Sequence, residues 1–332
     1  MRAVILLFTA LAFAASEVSK FEDCDETRDK AVGPFGSPEF FSEVTNGTTV
    51  FSLIPEASAP VPLIAFMHGS TGQYQFYNDS LSLIASHGFA VVFPFVKSPE
   101  KDKSPLTTNT DGRYLIKAIQ YAKEQNSNQS SIFFNKIDTT KIIIAGHSMG
   151  ATCSINAANT LRDEGIVLDI AMHPGICGPF GPPPCPSCWK SATLLSVAEA
   201  MPVVFTTATN DGAFWPAPHT AEHEYGCFKK SVGDIENKNE VNIKNAAFIQ
   251  FNAQVCEEDG EREPVVKDGG HNCPMKRIGG GYPEFSAVLT AAKLYGHLDG
   301  DQDSQCYEQL YGESGIKFQN ITGVLDFRLE LE

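Results

Sequence analysis

Apolar positions along this chain recur in two rhythms. Val50–Ile54, Leu63–Met67, Phe89–Phe95, Lys141–Ala145, Val167–Met172, Val203–Ala208 and Ala247–Asn252 are mostly apolar runs of strand length. Between them lie stretches with helical character: Gln75–His87, stopped by Gly88, then Asp111–Glu124, Ala151–Arg162 and Glu284–Leu298. In Asp111–Glu124 the residues Leu115, Ile116, Ile119 and Ala122 share one helical face. Strands that are apolar throughout need cover on both sheet faces. The pattern therefore predicts an α/β fold, a doubly wound and mostly parallel sheet with helices on both faces. No internal repeat or break in composition divides residues 16–332, so one domain is expected. Two stretches leave the pattern. Residues 174–188, rich in Pro, Gly and Cys, read as an irregular loop, and residues 222–245 as a polar excursion between two strands. The tail from Gly300 reads as a surface segment.

The first fifteen residues change the compartment. Met1-Arg2 is followed by an apolar run to Ala15 with small residues at Ala12, Ala14 and Ala15, the make-up of a secretory signal peptide over 1–15. That run is shorter than the ~20 apolar residues a bilayer span requires. A secreted protein without stable membrane insertion is expected. Its formal charge of −15 argues against nucleic acid and anionic membranes as partners, and a monomer is favoured. Exported chains pair most of their cysteines. Of the nine, Cys153 falls among small and apolar residues in a helical stretch and reads as the buried thiol, leaving eight for up to four bridges. Cys185 and Cys188 read as loop staples, since no second CxxC completes a zinc site. Asn46, Asn78, Asn128 and Asn320 stand in glycosylation sequons.

Gly146-His147-Ser148-Met149-Gly150 sits between an apolar strand and a helix. That setting makes it a nucleophile elbow, a turn so tight that the flanking glycines must lack side chains while the serine hydroxyl stands exposed. A serine so placed needs a base, an acid to orient the base, and donors for the oxyanion. In sheets of this kind they follow in the order Ser, acid, His. The strand 203–208 runs into Asn210-Asp211-Gly212, and catalytic groups gather at the carboxyl ends of strands. Asp211 is the favoured acid, with Asp169 and Asp268 as rivals. His271 alone among the eight histidines lies downstream of Asp211 on a Gly-rich loop outside any helix. His297 reads as an exposed residue of the last helix, and His147 as a packing or hydrogen-bonding neighbour of the elbow. The oxyanion donors expected are the backbone N–H groups of Ser70, after the strand ending at His68-Gly69, and of Met149. Phe76, Tyr77, Trp189, Phe214 and Trp215 lie near strand ends or loops around this site, as substrate-facing aromatics or as core. No paired His/Cys ligand cluster stands out, so neither metal nor cofactor is expected.

From about Val61 to Tyr311 the chain resembles the α/β-hydrolase group that holds cutinases, poly(ethylene terephthalate) hydrolases, dienelactone hydrolases, chlorophyllases and platelet-activating-factor acetylhydrolases. The resemblance rests on His68-Gly69, Ile84-Ala85-Ser86-His87-Gly88-Phe89, the elbow, the Pro202 strand leading to Asp211, and His271-Asn272-Cys273. Ala85–Phe89 and the His-X-Cys pattern are nearest the polyester hydrolases. By that resemblance Trp189 would be a substrate-stacking residue, as a Trp at a similar distance before the acid's strand is in those enzymes. Those enzymes often have an aromatic residue where this chain has Ser70. They also pair the cysteine after the His with one three residues before the acid, or with one in the tail. Position 208 is Ala here, so the resemblance points Cys273 elsewhere, with Cys306 as a candidate.

The resulting expectation is a secreted serine carboxylic-ester hydrolase, cutinase- or polyesterase-like, working through an acyl-enzyme on an apolar acyl or polyester substrate. A lipase, a chlorophyllase-like esterase or a phospholipid acetylhydrolase would use the same triad. A binding protein on this fold would have no need of Ser148, Asp211 and His271 together.

Overall fold

The protein, as a computed structural model, is described at residues 24, 32–45, 47–69, 72–95, 111–174, 197, 200–208, 246–251, 283–311 and 324–327. Its strands are β1 (Glu39–Thr45), β2 (Thr48–Ile54), β3 (Val61–Met67), β4 (Ala90–Phe95), β5 (Ile137–His147), β6 (Ile166–Met172), β7 (Val203–Ala208), β8 (Ala246–Phe251) and β9 (Val324–Phe327). Its helices are α1 (Tyr74–Ser86), α2 (Arg113–Ser127), α3 (Met149–Leu161), α4 (Pro283–Gly296) and α5 (Gln305–Tyr311).

The strands form one sheet in the order β1-β2-β4-β3-β5-β6-β7-β8-β9. Pairing is parallel from β4 through β3, β5, β6 and β7 to β8, and antiparallel at the edges, where β2, β1 and β9 attach. Alternation along the strands divides the core between the two faces. Leu63, Ala65, Met67, Ile142 and Ile144 pack with α2 and α3. Ile64, Phe66, Ile143 and Ala145 point the other way, toward α1, α4 and α5. Every residue of β3 is buried. Each Leu or Ile so covered favours folding by about 1.5–3 kcal/mol over the exposed state, which makes the centre of the sheet the rigid part that holds the site.

The structure bears out the doubly wound sheet and the main helices, with ends shifted by a few residues. α1 carries Tyr77, Leu81 and Ile84 on its buried face and gives way at His87-Gly88 to β4. On α2 the buried set is Leu115, Ala118, Ile119, Tyr121 and Ala122, with Ile116 only half-buried.

Three elements were not expected. β1, with the sequence Glu-Phe-Phe-Ser-Glu-Val-Thr, is exposed along almost its whole length, so it lacks the apolar face that marks a strand. β9 is four residues long. The tail contains α5, whose Cys306, Leu310 and Tyr311 are buried, and whose Tyr311 hydroxyl is 2.8 Å from that of Tyr295.

Cys306 is bonded to Cys24 across 282 residues of sequence, which removes it as a partner for Cys273. Spacing to the histidine loop gave no hint of this, because the partner comes from the other end of the chain. Gln309 Nε2 also donates to the Cys24 carbonyl. Cys153 stays a buried thiol, as expected. His297 is not an exposed helical residue: it follows the end of α4, half-buried, with its ring 4.5 Å from that of Phe89. Burial, with Lys141 and Lys293 nearby, holds its imidazole down to about 3. Residues 1–15, 175–188 and 222–245 lie outside the described residues. Among those described, no helix is long and apolar enough to cross a membrane.

Candidate active site

β3, β5 and β6 run parallel, so their carboxyl ends share one edge of the sheet. Ser148 stands at that edge between β5 and α3, with φ 56° and ψ −123°. The left-handed region is costly for a residue with a side chain, and persists where the surroundings enforce it. Here they do. A Cβ on Gly146 would overlap the Gly150 carbonyl, and one on Gly150 would overlap the Met67 carbonyl. Both glycines are thus required by close backbone approach, as the elbow reading demands. The Ser148 N–H donates to the Met172 carbonyl at 2.8 Å, and the Ser148 carbonyl accepts the Ala151 N–H at 3.0 Å. Ser148 is therefore fixed between β6 and the first turn of α3. It is 4% exposed.

Met149 opens the thirteen-residue α3. The first N–H groups of a helix have no partner within it and carry the positive end of its dipole, which suits a developing anion. Gly69 closes on the elbow from the β3 side. A Cβ built on it would lie 3.1 Å from both Ser148 Cβ and His147 Nδ1. The Gly69 carbonyl accepts from His68 Nδ1 at 2.6 Å and from the Gly72 N–H at 3.0 Å. With Nδ1 donating, His68 keeps a bare Nε2, which is buried and has no hydrogen-bond partner. Its ring packs 5.6 Å from Phe93 and from Phe95. Burial drives its imidazole down to about 4, so it is neutral at physiological pH.

Tyr77 and His173 complete the surroundings. The buried Tyr77 hydroxyl accepts the Gly69 N–H at 2.9 Å and lies 3.0 Å from His147 Nδ1. Burial holds this phenol well above its ordinary range. His173, just past β6 and buried, presents its ring 5.9 Å from that of His147. Tyr77 thus belongs to the core alternative for the aromatics, while Phe76 on the same helix is 47% exposed. The period from Tyr77 to Leu81 and Ile84 places the tyrosine on the buried face of α1. The strand-end rule, applied to Met172-His173, would have flagged the histidine.

Among the rival acids, Asp169 is fully buried inside β6, paired in register with Ile144, well short of the edge that carries Ser148. Burial pushes its carboxyl up to about 7, opposed by the Ser154 hydroxyl. That hydroxyl already donates to the Ala151 carbonyl at 2.8 Å, and neither Asp169 oxygen has a well-formed hydrogen bond. A carboxyl in the strand interior is not placed to orient a base at the edge. Asp211, Asp268, His271, Ser70, Trp189, Phe214 and Trp215 lie outside the described residues. Ser148 and Met149 are described, at the turn between β5 and α3.

The sheet order and the strained serine on the β5–α3 turn decide the fold. The chain has the α/β-hydrolase fold. The chlorophyllase family model matches residues 39–172 of this chain, the stretch from β1 to the end of β6 that contains the elbow. Esterase EstD of Thermotoga maritima is 23% identical over 142 residues, covering 40% of this chain. The match spans 32% of that relative's length. Both similarities set this chain beside the esterase group of the α/β-hydrolase fold.

Proposed function

We propose that the chain is a secreted serine carboxylic-ester hydrolase of the cutinase and polyesterase type. The observation that carries this reading is the left-handed backbone of Ser148 at the head of α3. A turn that costs stability is kept where it presents a nucleophile. In this reading Ser148 attacks the ester carbonyl, and His271 takes its proton and returns it to the leaving alcohol. Asp211 orients the imidazole and stabilises its charged form. The N–H groups of Ser70 and Met149 receive the oxyanion, and water then releases the acid from the acyl-enzyme. Trp189, Phe214 and Trp215 would line the apolar side of the substrate. The leader at 1–15, the sequons and the high cysteine count support export; Asn128 is exposed just beyond α2.

The chlorophyllase match favours a second reading, a chlorophyllase-like esterase. The matched stretch holds the scaffold and the nucleophile but ends before Asp211 and His271, so it supports the chemistry more than the substrate. Hydrolysis of p-nitrophenyl esters from acetate to palmitate tests the ester chemistry common to both, with Ser148→Ala alongside. Cleavage of short and medium chains, reduced by about 10⁴-fold or more in the variant, is expected. Activity on long chains alone, above their solubility limit, would favour a lipase. Equal rates for the wild type and Ser148→Ala would overturn the esterase reading.

A further inference from the structure

We propose that Tyr77 is a positioning residue that locks the β3 strand end against the nucleophile elbow. This rests on the serine-hydrolase reading above and assigns a role to a side chain outside the triad.

The hydroxyl of Tyr77 joins the backbone of the segment after β3 to a side chain at the end of β5. It takes the Gly69 N–H at 2.9 Å on one side and meets His147 Nδ1 at 3.0 Å on the other. The phenol proton completes the picture. The oxygen is already an acceptor from Gly69, and the group is 1% exposed, so its own proton goes to His147 Nδ1. His147 immediately precedes Ser148, and Gly69 lies so close that an added Cβ would touch the Ser148 side chain. One hydroxyl therefore ties the residue next to the nucleophile to the loop expected to supply an oxyanion donor.

The same bond settles which donor the loop can offer. The Gly69 N–H is occupied by Tyr77, and the Gly69 carbonyl by His68 and Gly72. Gly69 is thus a fixed support whose own N–H is unavailable to substrate. An oxyanion donor on the next residue, as the proposed function has it, would belong to the peptide unit held at the Gly69 carbonyl. The ring of Tyr77 is in turn wedged at 5.1 Å from Phe66 and 5.6 Å from Phe93, so the hydroxyl cannot drift. Donors prearranged for the transition state are worth most when they need not reorganise during the reaction.

Tyr77→Phe keeps the packed ring and removes only the bridge. The readouts are kcat and KM on a p-nitrophenyl ester, and the rate ratio between an ester and its thionoester, which probes how well the site holds an oxyanion. Rates are taken per site titrated with a fluorophosphonate, so loss of folded protein does not enter. We expect kcat to fall about tenfold or more with KM within about twofold, and the preference for the oxygen ester to shrink. An unchanged ratio with kcat within about twofold would overturn the role, as would a fall in thermal stability with the ratio unmoved. If Tyr77→Phe does not fold, His147→Leu, which leaves Tyr77 but removes its second partner, is read in the same way: a smaller shift in the same ratio supports the role, and no shift overturns it. A wild type that is neither labelled at Ser148 nor active on esters would sink the hydrolase reading and this role with it. A labelled, active wild type with an unaltered variant sinks this role alone.

Discussion

The backbone N–H of Ser148 donates to the carbonyl of Met172 at 2.8 Å, so Ser148 is anchored to β6, the strand beside its own. The elbow is thus held from β6, while its tightness depends on two glycines. Gly146→Ala would drive a methyl group into the Gly150 carbonyl, and Gly150→Ala would drive one into the Met67 carbonyl. Backbone cannot yield as a flexible side chain can. Each variant should lose about 3 kcal/mol or more of stability, read as a lowered denaturant midpoint, together with ester hydrolysis. A variant with wild-type midpoint and rate would show that the turn is looser than described.

Asp169 makes stability depend on pH in an unusual direction. Unfolded, its carboxyl titrates near about 3.9; folded, burial raises it to about 7. Between those values the unfolded chain gives up the proton while the folded chain keeps it. The contribution of this group is therefore most favourable below about pH 4, falls as pH rises toward about 7, and is constant above. Asp169→Asn should remove the dependence. The variant should be about 1–4 kcal/mol more stable than wild type at pH 8 and close to it at pH 4. Urea denaturation at the two pH values measures this, and a variant no more stable at pH 8 would contradict it.

The bridge between Cys24 and Cys306 closes most of the chain into one loop. Removing both cysteines should cost about 2–5 kcal/mol, chiefly through the freedom returned to the unfolded chain. Peptide mapping without reduction should recover the Cys24 and Cys306 peptides joined. Recovery of Cys306 joined to Cys273 would contradict the structure.

Cys153 should behave in the opposite way. It lies buried in α3, and desolvation pushes its thiol up to about 12. Nucleophilic thiols are ionised ones. Iodoacetamide at pH 8 should leave Cys153 unmodified in the folded protein and modify it in urea, as mass spectrometry of its peptide would show.

What was legible in the sequence follows from where the determining forces act. The elbow was legible because its requirement is local: two glycines and a serine at a strand–helix turn. β3, β5 and β6 were legible because strands covered on both faces must be apolar throughout, and Leu63–Met67 and Ile142–Ala145 are. β1 was not, because an exposed edge strand held by backbone pairing to β2 leaves no apolar signature. The partner of Cys306 was set by where Cys24 comes to rest in the fold, which residue spacing does not encode. Tyr77 was one of several aromatics near the site. Its partners, Gly69 and His147, come from β3 and β5, and only the packed sheet brings them to one hydroxyl.

The central claim is that Ser148 is a nucleophile activated by His271 and Asp211. Reaction with a fluorophosphonate probe, followed by mass spectrometry of the peptide containing residue 148, tests it most directly. The account predicts stoichiometric modification of Ser148 in the wild type, none there in Ser148→Ala, and a rate reduced by about 10³-fold or more in His271→Ala. An unmodified Ser148 in folded wild-type protein, or a His271→Ala variant labelled as fast as wild type, would contradict it.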